Sequence, residues 1–194
     1  MNILDMAWQN QQEAWKVVEN SGIIPAWKSI GAEVNMVGSL RTGLLMKHRD
    51  IDFHIYSSPL SLSDSFQAMA RLAENPFIRK IECANLLHTV EECVEWHAWY
   101  QEPAGELWQI DMIHIRKGSR YDGYFEKVAD RIEALLTDET RQAILQLKYE
   151  TPETEKIIGV EYYQAVIQDG IRNYADFSEW RKRHPVTGVV EWMP

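Results

Sequence analysis

Apolar residues in the first 22 positions recur at helical spacing. Asp5 and Glu13 fall within that pattern, and the segment has neither a basic leader nor a continuous apolar run. The pattern therefore predicts an amphipathic helix and not a signal peptide. No run of about 18 apolar residues occurs anywhere in the sequence, so we expect a soluble protein without a transmembrane helix and without a membrane partner.

A break and a short strand follow this helix. Residues 22–31, which contain Pro25, interrupt the helical period. Residues 33–37 (EVNMV) then predict a short buried strand that ends at Gly38 and Ser39. We expect a Gly-Ser turn at the end of this strand.

Apolar and polar residues alternate within the segment from Arg49 to Ser57 (RDIDFHIYS). This period of two predicts a strand with Ile51, Phe53 and Ile55 on one face. The opposite face carries Asp50, Asp52 and His54. Two carboxylates are therefore expected side by side on one face of a sheet.

The rest of the chain divides into a strand-rich and a helical part. A helix is predicted from Ser61 or Ser63 to Glu74, followed by strands over 77–87, 89–100 and 107–115, the last of which carries Asp111. Helices are predicted over 121–136, 138–149, 153–169 and 177–183. The expected fold class is α+β, a mixed β-sheet flanked by helices, with residues 1–117 as the sheet domain and 118–194 as a helical part that forms one side of a cleft.

Composition restricts the partners. The net charge is −9, from 29 acidic and 20 basic residues, and would repel a nucleic-acid backbone, so no long nucleic acid is expected. The only cysteines, Cys83 and Cys93, support neither a disulfide framework nor a four-ligand zinc site, which favours a reducing, cytoplasmic setting.

Three aspartates on predicted strands are the candidate chemistry. Aspartates two residues apart on a strand point the same way, so Asp50 and Asp52 can reach one hard cation or a pair of them. Asp111, between apolar residues on a later strand, is expected to complete the site. Gathering three carboxylates without a cation is costly, and oxygen ligands favour Mg²⁺, with Mn²⁺ as a substitute.

The Gly-Ser turn is the candidate phosphate site. Gly38 allows the backbone to approach a phosphate, and Ser39 offers a hydroxyl and an N–H. Arg41, Lys47 and Arg49 lie close in sequence and are candidates to neutralise a triphosphate, or else surface charges.

Together these residues resemble a known signature. In the nucleotidyltransferase fold superfamily, the DNA polymerase beta-like group, a Gly-Ser pair is followed by a Gly five residues after the first and by Asp-x-Asp twelve residues after it; here these are Gly38, Ser39, Gly43, Asp50 and Asp52. The resemblance implies metal ligation and catalysis by Asp50, Asp52 and Asp111, and triphosphate contact at Gly38 and Ser39. Size and helical content are similar to minimal and antibiotic nucleotidyltransferases. Arg49 departs from the serine often found before the first aspartate.

Other polar and aromatic residues have simpler interpretations. His54 is expected to be a structural partner of the carboxylates, and His97 and His114 lack metal-ligand spacing. The aromatic residues of 96–100 (WHAWY) either stack an acceptor ring or, as we expect, pack in the core. Lys148 and Tyr149 would lie near the nucleotide only if their helix returns to the cleft.

The resemblance implies a metal-dependent transfer of a nucleoside monophosphate from ATP or another nucleoside triphosphate to a small-molecule or protein acceptor, with pyrophosphate as the leaving group. The alternatives are a non-catalytic, regulatory module of the antitoxin type, and an unrelated phosphotransferase that would release phosphate. A homodimer is left open.

Overall fold

A five-stranded mixed sheet forms the centre of the strand-rich part. A computed structural model describes residues 2–194. The strands are β1 Glu33–Val37, β2 Asp50–Ser57, β3 Ile78–Asn85, β4 Cys93–Tyr100 and β5 Trp108–Arg116. Their order is β1-β2-β5-β4-β3; β2 and β5 are parallel, and every other neighbouring pair is antiparallel. The predicted α+β class with a mixed sheet is confirmed.

Helices precede, interrupt and follow the sheet. They are α1 Ile3–Ser21, α2 Ile23–Lys28, α3 Gly38–Arg41, α4 Leu62–Ala73, α5 Tyr124–Leu135, α6 Asp138–Glu150, α7 Gly159–Tyr163 and α8 Tyr174–Arg183; α7 continues as a π-helical turn, Gln164–Gln168. Within residues 2–194, no helix combines the length and the apolar character needed to cross a membrane.

Four of the longer helices begin at polar caps that the sequence supplies, whereas α5 begins at Gly123 without a side-chain cap. The N-cap side chain in each case accepts a hydrogen bond from the backbone N–H three residues later, which satisfies a donor without an intrahelical partner. The caps are Asn2 of α1, Ser61 of α4, Thr137 of α6 and Asn173 of α8. The serine that starts α4 is the first of the two predicted candidates.

Two local predictions were wrong, and one helix was not predicted. The predicted break occurs at Gly22, where α1 ends, but residues 22–31 also contain α2, which Pro25 permits because it lies in the first turn, where a backbone N–H has no helical partner in any case. The helix predicted from residue 153 begins only at Gly159. Strand β1 exists, but only Val37 of it is buried, since β1 lies at the edge of the sheet.

Two apolar clusters lie on opposite sides of the sheet residues that carry the aspartates. The first packs one sheet face against α1, α2 and α4, and includes Ile51, Phe53, Trp96, Ile110 and Met112. The second unites the C-terminal helices with residues of the N-terminal part, namely Ala7, Leu44 and Met46. The sheet face opposite the first cluster therefore turns its polar side chains toward the helical part.

Candidate active site

The parallel pairing of β2 and β5 brings two of the predicted aspartates together. Asp52 is the register partner of Asp111, and Asp50 is the partner of Gln109. On the other side of β2, Val37 at the end of β1 is the partner of Asp52. The Gly-Ser turn and the aspartates therefore meet at the centre of the sheet.

Gly38 lies directly against the Asp52 carboxylate. Its φ is +68°, and a Cβ added to it would stand 1.9 Å from Asp52 Oδ2. Both the left-handed backbone and the lack of space require glycine. The backbone of the turn therefore lies against the Asp52 carboxylate. A phosphate bound at the turn would then be next to a metal ion held by Asp52.

Ser39 is bound to a buried lysine from the helical part. Lys148 Nζ donates to Ser39 Oγ at 2.8 Å, to Leu44 O at 3.0 Å and to Tyr163 OH at 3.1 Å. Lys148 is only 6% exposed, and Ser39 Oγ and Tyr163 OH are 3.0 Å apart. A buried ammonium group beside the Gly-Ser turn is an electrostatic partner for a phosphate.

Asp111 is held by two neighbours through one oxygen. Gln109 Nε2 donates to Asp111 Oδ1 at 2.8 Å. His97 Nδ1 lies 2.6 Å from the same oxygen and donates to it when the carboxylate is ionised. This hydrogen bond raises the pKa of His97, against the effect of burial. The second oxygen, Oδ2, accepts neither of these hydrogen bonds and can bind a cation or a proton.

Burial and the neighbouring carboxylates change the pKa of Asp52. Burial raises the pKa of Asp52 well above its usual range, and the charges of Asp50 and Asp111 raise it further. Lys148 acts in the opposite direction. A divalent cation would relieve this repulsion in the same way as Lys148 but more strongly.

The donor set fits a cation that shares its ligands with a substrate. Across residues 2–194, no three His, Cys, Asp or Glu side chains are already gathered closely enough to hold a metal ion. Mg²⁺ is commonly held by one or two carboxylates and completes its shell with phosphate oxygens and water. Asp50 and Asp52, with the backbone of Gly38 beside them, fit that mode; ligation by Asp50, Asp52 and Asp111 stays a prediction.

The three basic residues named with the turn have different positions. Arg41 points away, pairing with Asp130 and with Glu133 at 3.6 Å, and does not line the cleft. Lys47 lines the cleft and donates to Thr151 O at 2.7 Å. Arg49 also lines it, 3.2 Å from Glu13 and with its guanidinium over the Trp108 ring.

His54 and His114 are both buried, and His114 lies on the opposite face of the sheet from the aspartates. His54 Nδ1 is 3.3 Å from Glu126 Oε1, so its carboxylate neighbour is on α5 and not one of the aspartates of β2. His114 is fully buried between Ser57 Oγ at 2.7 Å and Ser65 Oγ at 3.1 Å. Burial lowers the pKa of His114 to about 4, which keeps the ring neutral near pH 7.

A cleft of about 860 Å³ contains the whole arrangement. Its walls come from the polar face of the sheet and from the helical part. The lining includes Gly38, Ser39, Arg49, Asp50, Asp52, His97, Gln109, Asp111, Lys148 and Tyr163, together with Ile157, Val160 and Trp192. The polar end suits a charged phosphate chain, and the apolar end suits a ring.

Sequence reasoning did not find several of these residues. Tyr163, Gln109 and the contact of His97 with Asp111 carry no local pattern that marks them. Lys148 was suggested only by the path of its helix, although a lysine at a buried helix position is itself an unusual feature.

Comparisons with known proteins agree with this geometry. No family model matches the sequence, and no curated protein matches it. Among solved structures, the Cid1 poly(U) polymerase with MgGTP bound is 16% identical, with a TM-score of 0.58, over 81% of this chain and 49% of that chain. The non-canonical poly(A) polymerase complex GLD-2–GLD-3 is 12% identical, with a TM-score of 0.53, over 86% of this chain and 58% of that one.

A cytoplasmic RNA terminal U-transferase gives the same result, at 14% identity and a TM-score of 0.53, over 86% of this chain and 51% of that one. The chain spans about half the length of these three structures. The fold implied by the Gly-Ser and Asp-x-Asp signature is confirmed: the chain has the nucleotidyltransferase fold.

Proposed function

We propose that this protein is a Mg²⁺-dependent nucleotidyltransferase that moves a nucleoside monophosphate from a nucleoside triphosphate, with ATP as the expected donor, to an acceptor. The observation that carries the proposal is the placement of Asp52 beside Asp111 and against Gly38. The solved structures with this fold support it, since one is a poly(U) polymerase with MgGTP bound.

The two parts of the chain contribute different groups. Residues 1–117 supply the aspartates and the Gly-Ser turn, and residues 118–194 supply Lys148 and Tyr163. Lys148 donates a hydrogen bond to Ser39 Oγ, so its buried positive charge would lie beside a triphosphate bound at the turn. Both parts are therefore needed for binding, which is our reason for treating the helical part as one side of the site.

Asp50 and Asp52 would hold the metal ion, with Asp111 as the third ligand. The bound ion would neutralise the phosphate oxygens on which charge develops. The chain's own contribution is to fix both carboxylates on one rigid strand and to exclude a side chain at Gly38.

The proposed transfer is a substitution at the α-phosphorus and involves no change of oxidation state. An acceptor oxygen attacks the α-phosphorus, a bond forms between them, and the bond from the α-phosphorus to the bridging oxygen breaks so that pyrophosphate leaves. The proton of an attacking hydroxyl passes to Asp111 Oδ2, the oxygen not engaged by His97 and Gln109. A small molecule or a protein fits the net charge of −9 better than a long polyanion.

The test measures pyrophosphate release with Mg²⁺ and each of the four nucleoside triphosphates, with and without a pool of small hydroxyl compounds. The Asp50→Asn, Asp52→Asn double variant serves as the inactive partner, and its melting temperature reports on folding. Release by the wild type alone supports the proposal. Equal release by both proteins, or phosphate in place of pyrophosphate, contradicts it.

A wild type that neither binds Mg²⁺-ATP nor releases pyrophosphate would favour the regulatory module instead, because such a module has no need for a metal or a triphosphate.

A further inference from the structure

The aromatic segment Trp96–Tyr100 is divided between two environments. Trp96, Ala98 and Tyr100 are buried in the core. His97 and Trp99 alternate with them and lie on the opposite face of β4, the face that carries Asp111 on β5. One tryptophan of the segment therefore stands on the active-site face and is only half-buried.

This face continues outward from the carboxylates across β4 and β3. His97 is the register partner of Asp111, and Trp99 is the partner of Gln109. The rings of His97 and Trp99 have centroids 6.4 Å apart. The cleft floor ends at His97 and Gln109, so Trp99 lies immediately beyond it, on the side away from the Gly-Ser turn.

Strand β3 adds charged groups to the same surface. Lys80, the partner of Trp99, has its ammonium group 4.3 Å from the centre of the Trp99 ring and also pairs with Glu82. Glu82 is the partner of His97, and its side chain is 52% exposed. The Lys80 ammonium group therefore already lies over the Trp99 ring. Its contacts are flexible and exposed, so a ligand can replace it there.

We propose that Trp99 forms the stacking platform of the acceptor subsite, and that the acceptor is a ring-bearing hydroxyl compound without phosphate groups. The proposal rests on the nucleotidyltransferase function and names its acceptor class. The ring of the acceptor lies on Trp99 after Lys80 swings aside, and its hydroxyl reaches Asp111 Oδ2, because Trp99 on β4 is the diagonal neighbour of Asp111 on β5.

The local charges favour a neutral or cationic acceptor. Glu82 is the register partner of His97, and Glu95 lies on the same face of β4 as His97 and Trp99, so two carboxylates and one lysine lie along this surface. Carboxylates accept hydrogen bonds from hydroxyl and ammonium groups but repel phosphates. A sugar, an amino sugar or a nucleoside meets these conditions, and the 3′ end of an RNA chain does not.

The test compares acceptor kinetics of the wild type with Trp99→Ala and Trp99→Phe. The acceptors are methyl glucoside, glucosamine, adenosine and a short oligoribonucleotide, each with Mg²⁺-ATP at saturation. We expect Trp99→Ala to raise the KM of the best ring acceptor about tenfold, with the KM of ATP changed less than about twofold. Trp99→Phe, which keeps an aromatic face, should recover most of the loss.

Trp8→Ala is the matched control, since Trp8 is 64% exposed on α1 and should leave both KM values unchanged. An acceptor KM that is equal in the wild type and Trp99→Ala overturns the subsite but leaves the proposed function standing. Preferred extension of the oligoribonucleotide overturns the acceptor class. Absence of transfer to every acceptor, with no pyrophosphate released, contradicts the function and the subsite together.

Discussion

Asp52 and Asp111 lie opposite each other in the register of the parallel strands β2 and β5. The pairing places one carboxylate against the backbone of Gly38 and the other within reach of His97 and Gln109. Two acids of the same type therefore have different surroundings: Asp52 lies against the turn, whereas Asp111 has one oxygen held by two donors and the other oxygen free of them.

Gly38→Ala should abolish most activity, because the new methyl group would collide with Asp52 Oδ2 at 1.9 Å. We expect a loss of more than about tenfold in kcat/KM and destabilisation of about 1–3 kcal/mol. Gly31→Ala is the control, since Gly31 has a φ of +75° with open space around it. It should share the backbone cost and keep full activity; equal loss of activity in both variants would contradict this account.

Lys148→Met should weaken use of the nucleoside triphosphate. The substitution removes the ammonium group that binds Ser39 Oγ, Leu44 O and Tyr163 OH, and with it a charge aimed at the phosphates. We expect kcat/KM for the triphosphate to fall on the order of a hundredfold, measured by steady-state pyrophosphate release. Lys182→Met, at an exposed position of α8, should have no effect; unchanged kinetics in Lys148→Met would remove Lys148 from the site.

Arg41 and Arg49 should respond differently to substitution by alanine. Arg49 lines the cleft, so its loss should raise the KM of the triphosphate roughly tenfold. Arg41 is turned toward Asp130 and Glu133, so Arg41→Ala should change that KM by less than about twofold. A larger effect of Arg41→Ala would show that Arg41 rotates into the cleft when the nucleotide binds.

His114 should make stability depend on pH. Its folded pKa is lowered to about 4 by burial, whereas an unfolded histidine titrates near about 6.5. Between these values the unfolded chain binds a proton that the folded chain does not, so stability is complete above pH ~6.5 and falls as the pH drops toward ~4, by up to about 3 kcal/mol.

Urea unfolding at a series of pH values measures this slope. His114→Gln lacks the titrating ring and should be less stable near neutral pH but flatter through the acidic window. The same slope in His114→Gln and the wild type would assign the acid sensitivity to other groups.

The sequence predicts the half of the site that depends on local patterns. Alternation places Asp50 and Asp52 on one face of β2, and a glycine directly after a strand marks the turn at Gly38. Both are short-range properties of the chain. Asp111 is marked as an aspartate between apolar residues on a later strand, but its pairing with Asp52 could not be derived, because the register of two distant parallel strands has no local signature.

Tertiary contacts account for what the sequence did not predict. Lys148 and Tyr163 reach Ser39, and His97 reaches Asp111, only after helices and strands pack, and nothing near them in sequence indicates this. The helix predicted from residue 153 fails for a related reason: residues 153–158 have helical composition, but the chain has to bring Ile157 into the second core cluster before α7 begins.

The central claim is tested most directly by following the fate of the phosphates of ATP. Wild type and Asp52→Asn are incubated with Mg²⁺, the best acceptor, and ATP labelled either at the α-phosphate or at the γ-phosphate. The account predicts that the wild type attaches the α-label to the acceptor and releases the γ-label as pyrophosphate, while Asp52→Asn does neither. Transfer of the γ-label, or α-label transfer that persists in Asp52→Asn, would contradict it.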